Sequence, residues 1–296
     1  MTGRHTSATA GARTWPTAVL SAAAGVLAVL VVLVGLMWMI GSPDGAEYPG
    51  RAEQGEQTGE TSRPGQGGQA GQAESGTGAV ELVDSTTHTT VEGAPVDPAP
   101  QQGTDGVIVH PLRPTPVHAE PGGEAIARMT PTQISDTWLP VIDERDGWVR
   151  VLLPSRPNGS TGWLRGEDLE RAFTPYTIHV HLGSMTLRLL SRGDEIGSWP
   201  IGIGKPDTPT PAGRTFLLGS FTDAAQQFSP VILPLGSHSD TLDDFGGGSG
   251  TVAIHTWPTE DVLGTATSHG CIRVPRDALD RLTEVPLGTL VLVDQQ

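Results

Sequence analysis

Hydrophobic positions change rhythm four times along the 296-residue chain. Residues 17–40 are apolar and uncharged over a length that lets a helix cross the hydrocarbon core of a bilayer, which predicts a transmembrane anchor. In 41–104 large apolar side chains nearly vanish among Gly, Gln, Glu, Ser, Thr and Pro. Such a stretch buries too little surface to offset chain entropy and is expected to be a disordered linker, with a root-mean-square span on the order of 45 Å. In 105–172 short apolar runs return between turn signals, as in Gly106-Val107-Ile108-Val109, Trp138-Leu139-Pro140-Val141-Ile142 and Gly147-Trp148-Val149-Arg150-Val151. That spacing predicts a small β-barrel.

The last stretch, 173–296, is again mostly strand-like. Residues 176–182 and 185–190 alternate around Gly183-Ser184, a hairpin signal. Residues 251–255 read as a β-branched strand ending in His255, and 289–293 as a closing strand. Residues 275–282 predict a short helix, with Pro275 in its first turn and Leu279 and Leu282 on one face. The fold class expected is mainly β with one or two short helices. Residues 237–250, with Gly246-Gly247-Gly248, have no period and are expected to be a mobile flap or an ordered surface loop.

Charge orients the chain. Of its 18 Lys and Arg, Arg4 and Arg13 precede the apolar run, whereas all 33 Asp and Glu follow it. The positive-inside rule then places residues 1–16 in the cytoplasm and everything after the anchor on the other side of the cell membrane. A cleaved signal peptide would have a shorter apolar region and a small-residue cleavage site, which the residues after Ile40 lack. The net charge of −15 makes nucleic acid an unsuitable partner.

The single cysteine, Cys271, lies in Ser268-His269-Gly270-Cys271-Ile272-Arg273 and excludes any disulfide within the chain. A thiol attacks as thiolate and needs a base or a positive neighbour. A strand ending at His255 and a loop punctuated by Gly264 can bring that imidazole to Cys271, and Gly270 permits backbone amides to point at an oxyanion. The alternative is a small buried apolar side chain. His179 and His181 share a strand face, but no carboxylate or cysteine cluster completes a metal site near them, so they are expected to be solvent-facing and no metal is assigned. Lys205 follows Gly-Ile-Gly but precedes Pro206, and the phosphate-loop pattern fails.

With His255 upstream, Ser268-His269-Gly270-Cys271 resembles the signature of the L,D-transpeptidase (YkuD-type) catalytic family of bacterial cell-wall enzymes. Ile272-Arg273, Gly202-Ile203-Gly204-Lys205 and Thr208-Pro209-Thr210-Pro211-Ala212-Gly213 extend the resemblance over roughly 174–294. It implies a β-sandwich-type catalytic domain over 173–296 that needs no cofactor. It further implies Cys271 as nucleophile, His255 as acid and base, backbone amides near His269, Gly270 and Cys271 as oxyanion donors, and Ser268 and His269 holding the loop. Arg273 and Thr256 would face substrate; Thr256 stands where many relatives have glycine or serine, and its carbonyl would orient the imidazole. Peptidoglycan stem peptides are the implied substrates, 3→3 cross-links the product and carbapenems the inhibitors. An L,D-carboxypeptidase using water, a non-catalytic wall-binding protein and a cysteine protease are the alternatives. Asp146-Gly147-Trp148-Val149-Arg150-Val151, with Thr161-Gly162-Trp163-Leu164, resembles the bacterial Src-homology-3-like domains found beside wall enzymes. Trp148 and Trp163 would be barrel core or line a ligand groove.

Overall fold

A computed structural model describes residues 81–244 and 250–296. The expected cytoplasmic segment 1–16, the anchor 17–40 and the linker up to residue 80 lie outside the described residues. Among the described residues no helix is long and apolar enough to cross a membrane.

The first lobe is built from β1 (Val107–Pro111), β2 (Thr115–His118), β3 (Ala125–Met129), β4 (Leu139–Arg145), β5 (Trp148–Leu152), β6 (Thr161–Arg165) and β7 (Leu169–Phe173). They form one sheet in the order β3-β2-β6-β5-β4-β1-β7, and every pairing between these strands is antiparallel. Asp146 and Gly147, both at positive φ, make the two-residue turn of the β4–β5 hairpin, the backbone twist such hairpins favour. Alternation then sends Val149 and Val151 inward. Trp163 is buried; Trp148 is half-buried with the Arg165 guanidinium 4.9 Å above its ring.

The second lobe begins with β8 (Tyr176–His181), β9 (Thr186–Ser191) and β10 (Asp194–Pro200). It continues through β11 (Ile203–Gly204), β12 (Gly213–Phe216), β13 (Leu233–His238), β14 (Thr251–His255), β15 (Ala266–Ser268) and β16 (Ile272–Arg273). Helix α1 (Arg276–Leu282) and β17 (Leu290–Asp294) close it. A five-stranded sheet, β10-β9-β8-β17-β12, packs against the three-stranded sheet β13-β14-β16. Between them lie Ile178, Val180, Leu187, Leu189, Leu235 and Ile254, with Ala278, Leu279 and Leu282 of α1 closing the core. The expected solvent-facing histidines are half-buried instead, and His181 Nδ1 lies 3.0 Å from both carboxylate oxygens of Asp294. Among the described residues no group of three or more His, Cys, Asp or Glu side chains could hold a metal ion.

The lobes share an interior. Along β17 the period of two sends Val291 and Val293 into the core of the second lobe, while Leu290 and Leu292 join Phe216 and Leu218 in the core of the first, beside Val109, Leu139 and Leu164. Residues 81–104, expected to be linker, are part of this body. Their backbone bonds to Arg128, Arg156 and Gly159 replace the missing apolar surface, and Val91 is buried. Asp97 makes a bidentate ion pair with Arg214 of β12, both contacts at 2.6 Å and both side chains almost wholly buried. Order here comes from partners distant in sequence, which composition alone does not reveal.

Candidate active site

Strand β14 is central in its sheet, and β16 runs parallel to it with Ile254 opposite Ile272 and His255 opposite Arg273. A parallel return requires a long excursion, and Cys271 ends that excursion one residue before β16. A backbone hydrogen bond from Ala253 reaches its sulfur. His255 is buried at the end of β14 with Nδ1 2.7 Å from the Thr256 carbonyl oxygen. That bond assigns the ring proton to Nδ1 and leaves Nε2 with its lone pair. Cys271 and His255 open onto one groove of about 1140 Å³.

The Thr256 side chain, expected to face substrate, turns inward. Its hydroxyl lies 3.0 Å from the Phe228 carbonyl and 3.1 Å from Ser229 Oγ, and its amide donates to Ser229 Oγ at 3.0 Å. A hydroxyl at this position thus pins the 221–232 loop to the histidine, and the Phe228 ring rests 5.0 Å from the imidazole. This loop, closed at its neck by paired bonds between Phe221 and Ile232, supplies the groove lining. The described part of the expected flap, 237–244, does not line the groove; Asn158 of the first lobe clamps it through the His238 amide and carbonyl.

The 268–271 loop is fastened from within and from beneath. Ser268 Oγ donates to the Cys271 carbonyl at 2.6 Å and accepts the Gly270 amide at 3.2 Å. Beneath it, Thr208 Oγ1 and the Lys205 amide bind the Ser268 carbonyl, and Thr210 Oγ1 binds the Gly270 carbonyl. Gly204 is required for this close approach, since a Cβ there would lie 2.3 Å from the Thr208 carbonyl oxygen. Gly270 itself sits at φ +113, a conformation that favours glycine. Its amide is committed to Ser268, so the expected oxyanion role does not fit it, whereas the Cys271 amide takes part in none of these bonds. The His269 side chain is exposed.

Burial pushes the Cys271 thiol above its ordinary pKa, opposed by the Ala253 hydrogen bond and the charge of Arg273. Burial pulls His255 below its ordinary value, the Thr256 carbonyl counters this, and Arg273 lowers it further. Near neutral pH the site therefore holds a protonated thiol and a neutral imidazole. Arg273 is fixed by Trp257, whose ring lies 4.0 Å below its Cζ, and by Thr267 Oγ1 at 3.2 Å from Nη1. Its buried Nε has no hydrogen-bond partner among the described residues. Phe228, Trp257, Thr208 and Thr210 carry no role in the residue-level reading; a tryptophan two residues after the histidine was the available signal for one of them.

Residues 175–293 match the model of YkuD, the L,D-transpeptidase catalytic domain. By this match, that part of the chain is similar to the YkuD family. The protein named L,D-transpeptidase YkuD of Bacillus licheniformis is 32% identical over 120 residues, 40% of this chain and 66% of that protein. Its namesake of Bacillus subtilis is 27% identical over 152 residues, 49% of this chain and 85% of that protein. Among solved structures, L,D-transpeptidase 3 from Mycobacterium tuberculosis in complex with a faropenem-derived adduct aligns at 14% identity over 53% of this chain and 93% of that one, with a TM-score of 0.37. The YkuD domain contains His255, Cys271 and Arg273; the first lobe lies outside the match.

Proposed function

We propose that the protein is a peptidoglycan L,D-transpeptidase that forms 3→3 cross-links through a thioester on Cys271. The observation that carries this reading is one groove shared by the thiol and an imidazole whose Nδ1 is pinned. His255 Nε2 takes the thiol proton as Sγ attacks the carbonyl of the third stem residue, with the Cys271 amide facing the developing oxyanion. Collapse breaks the amide bond; the departing D-alanine amine takes the proton from His255, and the thioester remains. The amine of a second stem then attacks, its proton passes to Nε2, the carbon–sulfur bond breaks, and the proton returns to sulfur. Arg273, with its unpartnered Nε, suits a substrate carboxylate or holds the loop.

On this reading the first lobe is a Src-homology-3-like domain, supported by the Trp148 and Trp163 motifs, and 17–40 anchors the protein with its catalytic domain on the cell-wall side. A β-lactam carbonyl is an electrophile of the same kind as the donor carbonyl, so carbapenems acylate Cys271. The test is to incubate the full chain with disaccharide-tetrapeptide and read products by mass. A dimer lighter than two substrates by one D-alanine, linked between third residues, is the expected product. Tripeptide alone would make the protein a carboxypeptidase, and unchanged substrate with a free Cys271 thiol would overturn the enzymatic reading.

A further inference from the structure

We infer that the first lobe is part of the substrate site: it builds the groove wall that receives the acceptor, a peptide carrying a cationic amine. This rests on the transpeptidase reading and deepens it by naming residues that select the second substrate.

Two segments of the first lobe, 84–88 and 130–134, line the same groove as Cys271 and His255. Both are tied to the YkuD domain. Thr251 Oγ1 on β14 donates to Thr87 Oγ1 at 2.9 Å, and Ser135 Oγ both accepts the Ser220 amide and donates to the Ser220 carbonyl at 3.2 Å. Gln133 Nε2 donates to the Ser85 carbonyl at 3.0 Å and joins the two segments to each other. With the buried Asp97–Arg214 pair also clamping the two lobes together, this wall is formed before any ligand arrives, and binding need not order it.

The wall also presents what a peptide uses. Ile134 and Phe221 are large apolar side chains left 43% and 37% exposed at the groove, one from each lobe. Its ionic lining consists of Asp84 and Asp223, with neither Lys nor Arg. Asp84 is neutralised by Arg128 at 2.6 Å. Asp223 accepts the Ala225 amide at 2.8 Å and has no ion-pair partner among the described residues. An unpaired carboxylate beside apolar surface favours an ammonium and repels a carboxylate or phosphate. Arg273, the guanidinium whose charge reaches Cys271, does not line this groove. Recognition is thereby divided, with the carboxylate-bearing donor toward Arg273 and the amine toward the first lobe. His255 lines the amine side, where the attacking nitrogen must lose a proton.

The test uses the full-length protein and the variants Asp223→Asn and Ile134→Ala, both outside the Cys271–His255 pair. Three quantities are read: the rate of Cys271 acylation by a carbapenem, the donor KM, and the acceptor KM at saturating donor. Acylation and donor KM are expected to stay within about twofold, while acceptor KM rises about tenfold for Asp223→Asn and Ile134→Ala and the product shifts toward tripeptide. Added salt should weaken acceptor use by the parent protein and much less by Asp223→Asn. A rise in donor KM alone, or no change in any of the three, overturns the inference. If the parent protein makes no cross-link, the transpeptidase reading fails separately. The wall is then judged by titrating a free-amine tripeptide into the Cys271→Ala variant with and without Asp223→Asn; equal binding by both, or none by either, sinks it.

Discussion

Both lobes are made of strands, yet between their named strands only the second uses parallel pairing, beside four antiparallel pairs of its own. In the first lobe every strand-to-strand pairing is antiparallel, and neighbours such as β4 and β5 are joined by a two-residue turn. In the YkuD domain β8 pairs with β17, β14 with β16 and β11 with β15, all in parallel. A parallel partner is reached only by leaving the sheet and travelling back to its starting edge. The excursion from β14 to β16 carries Trp257, Ser268 and Cys271, so the reactive groups sit where the chain must wander. The first lobe, whose strands pair only antiparallel, supplies groove wall and neither member of the Cys271–His255 pair. Chemistry and wall are thus divided between the lobes.

The sharpest break of this division is Cys271→Ala. It is expected to abolish cross-linking and the carbapenem mass adduct while leaving the thermal midpoint nearly unchanged; an adduct elsewhere, or retained turnover, would remove Cys271 from the chemistry. His255→Ala should cost about 10²- to 10⁴-fold in turnover and erase the acid limb of the pH–rate profile. A normal rate and profile would send the search to another base.

Asp97→Ala tests the other side. It leaves the Arg214 guanidinium buried without its counterion, and the expected cost is about 3–5 kcal/mol of stability by denaturant titration, with the folded fraction still acylated by a carbapenem. Adding Arg214→Met should recover part of that loss. If acylation fell while stability held, the lobes would not be divided as described.

The smallest effect is expected for Arg273→Gln. Its positive charge favours thiolate and disfavours imidazolium, so its loss raises both pKa values. The acid limb, lying below the ordinary histidine value in the parent, should move up. The alkaline rise in acylation should move up with it, each unit removing about tenfold of the thiolate at neutral pH. Unshifted limbs would show that Arg273 acts on substrate alone.

The same contrast explains what could be read beforehand. The strand 251–255 with its terminal histidine, the 176–190 hairpin and the α1 region are local patterns, and the structure has them within a residue or two. Cys271 and its flanking residues were visible as a local motif. Thr208 and Thr210 hold that motif through carbonyls some sixty positions away, a distance at which no periodicity operates. Residues 81–104 look like linker because their order rests on remote backbone partners and one buried ion pair. Phe228 reaches His255 from a loop without a pattern, whereas the described part of the 237–250 stretch, 237–244, stays off the groove.

The shared interior has a consequence for modularity. The family match starts at 175, but a chain cut there would turn Phe216, Leu218, Leu290 and Leu292 toward water and strip Arg214 of its counterion. The segment that the family match marks off and the segment expected to melt as a unit are therefore different objects in this protein. Substitutions on β17 and in the Phe216-Leu217-Leu218 run answer to two cores at once, so drift in either lobe is constrained by the other.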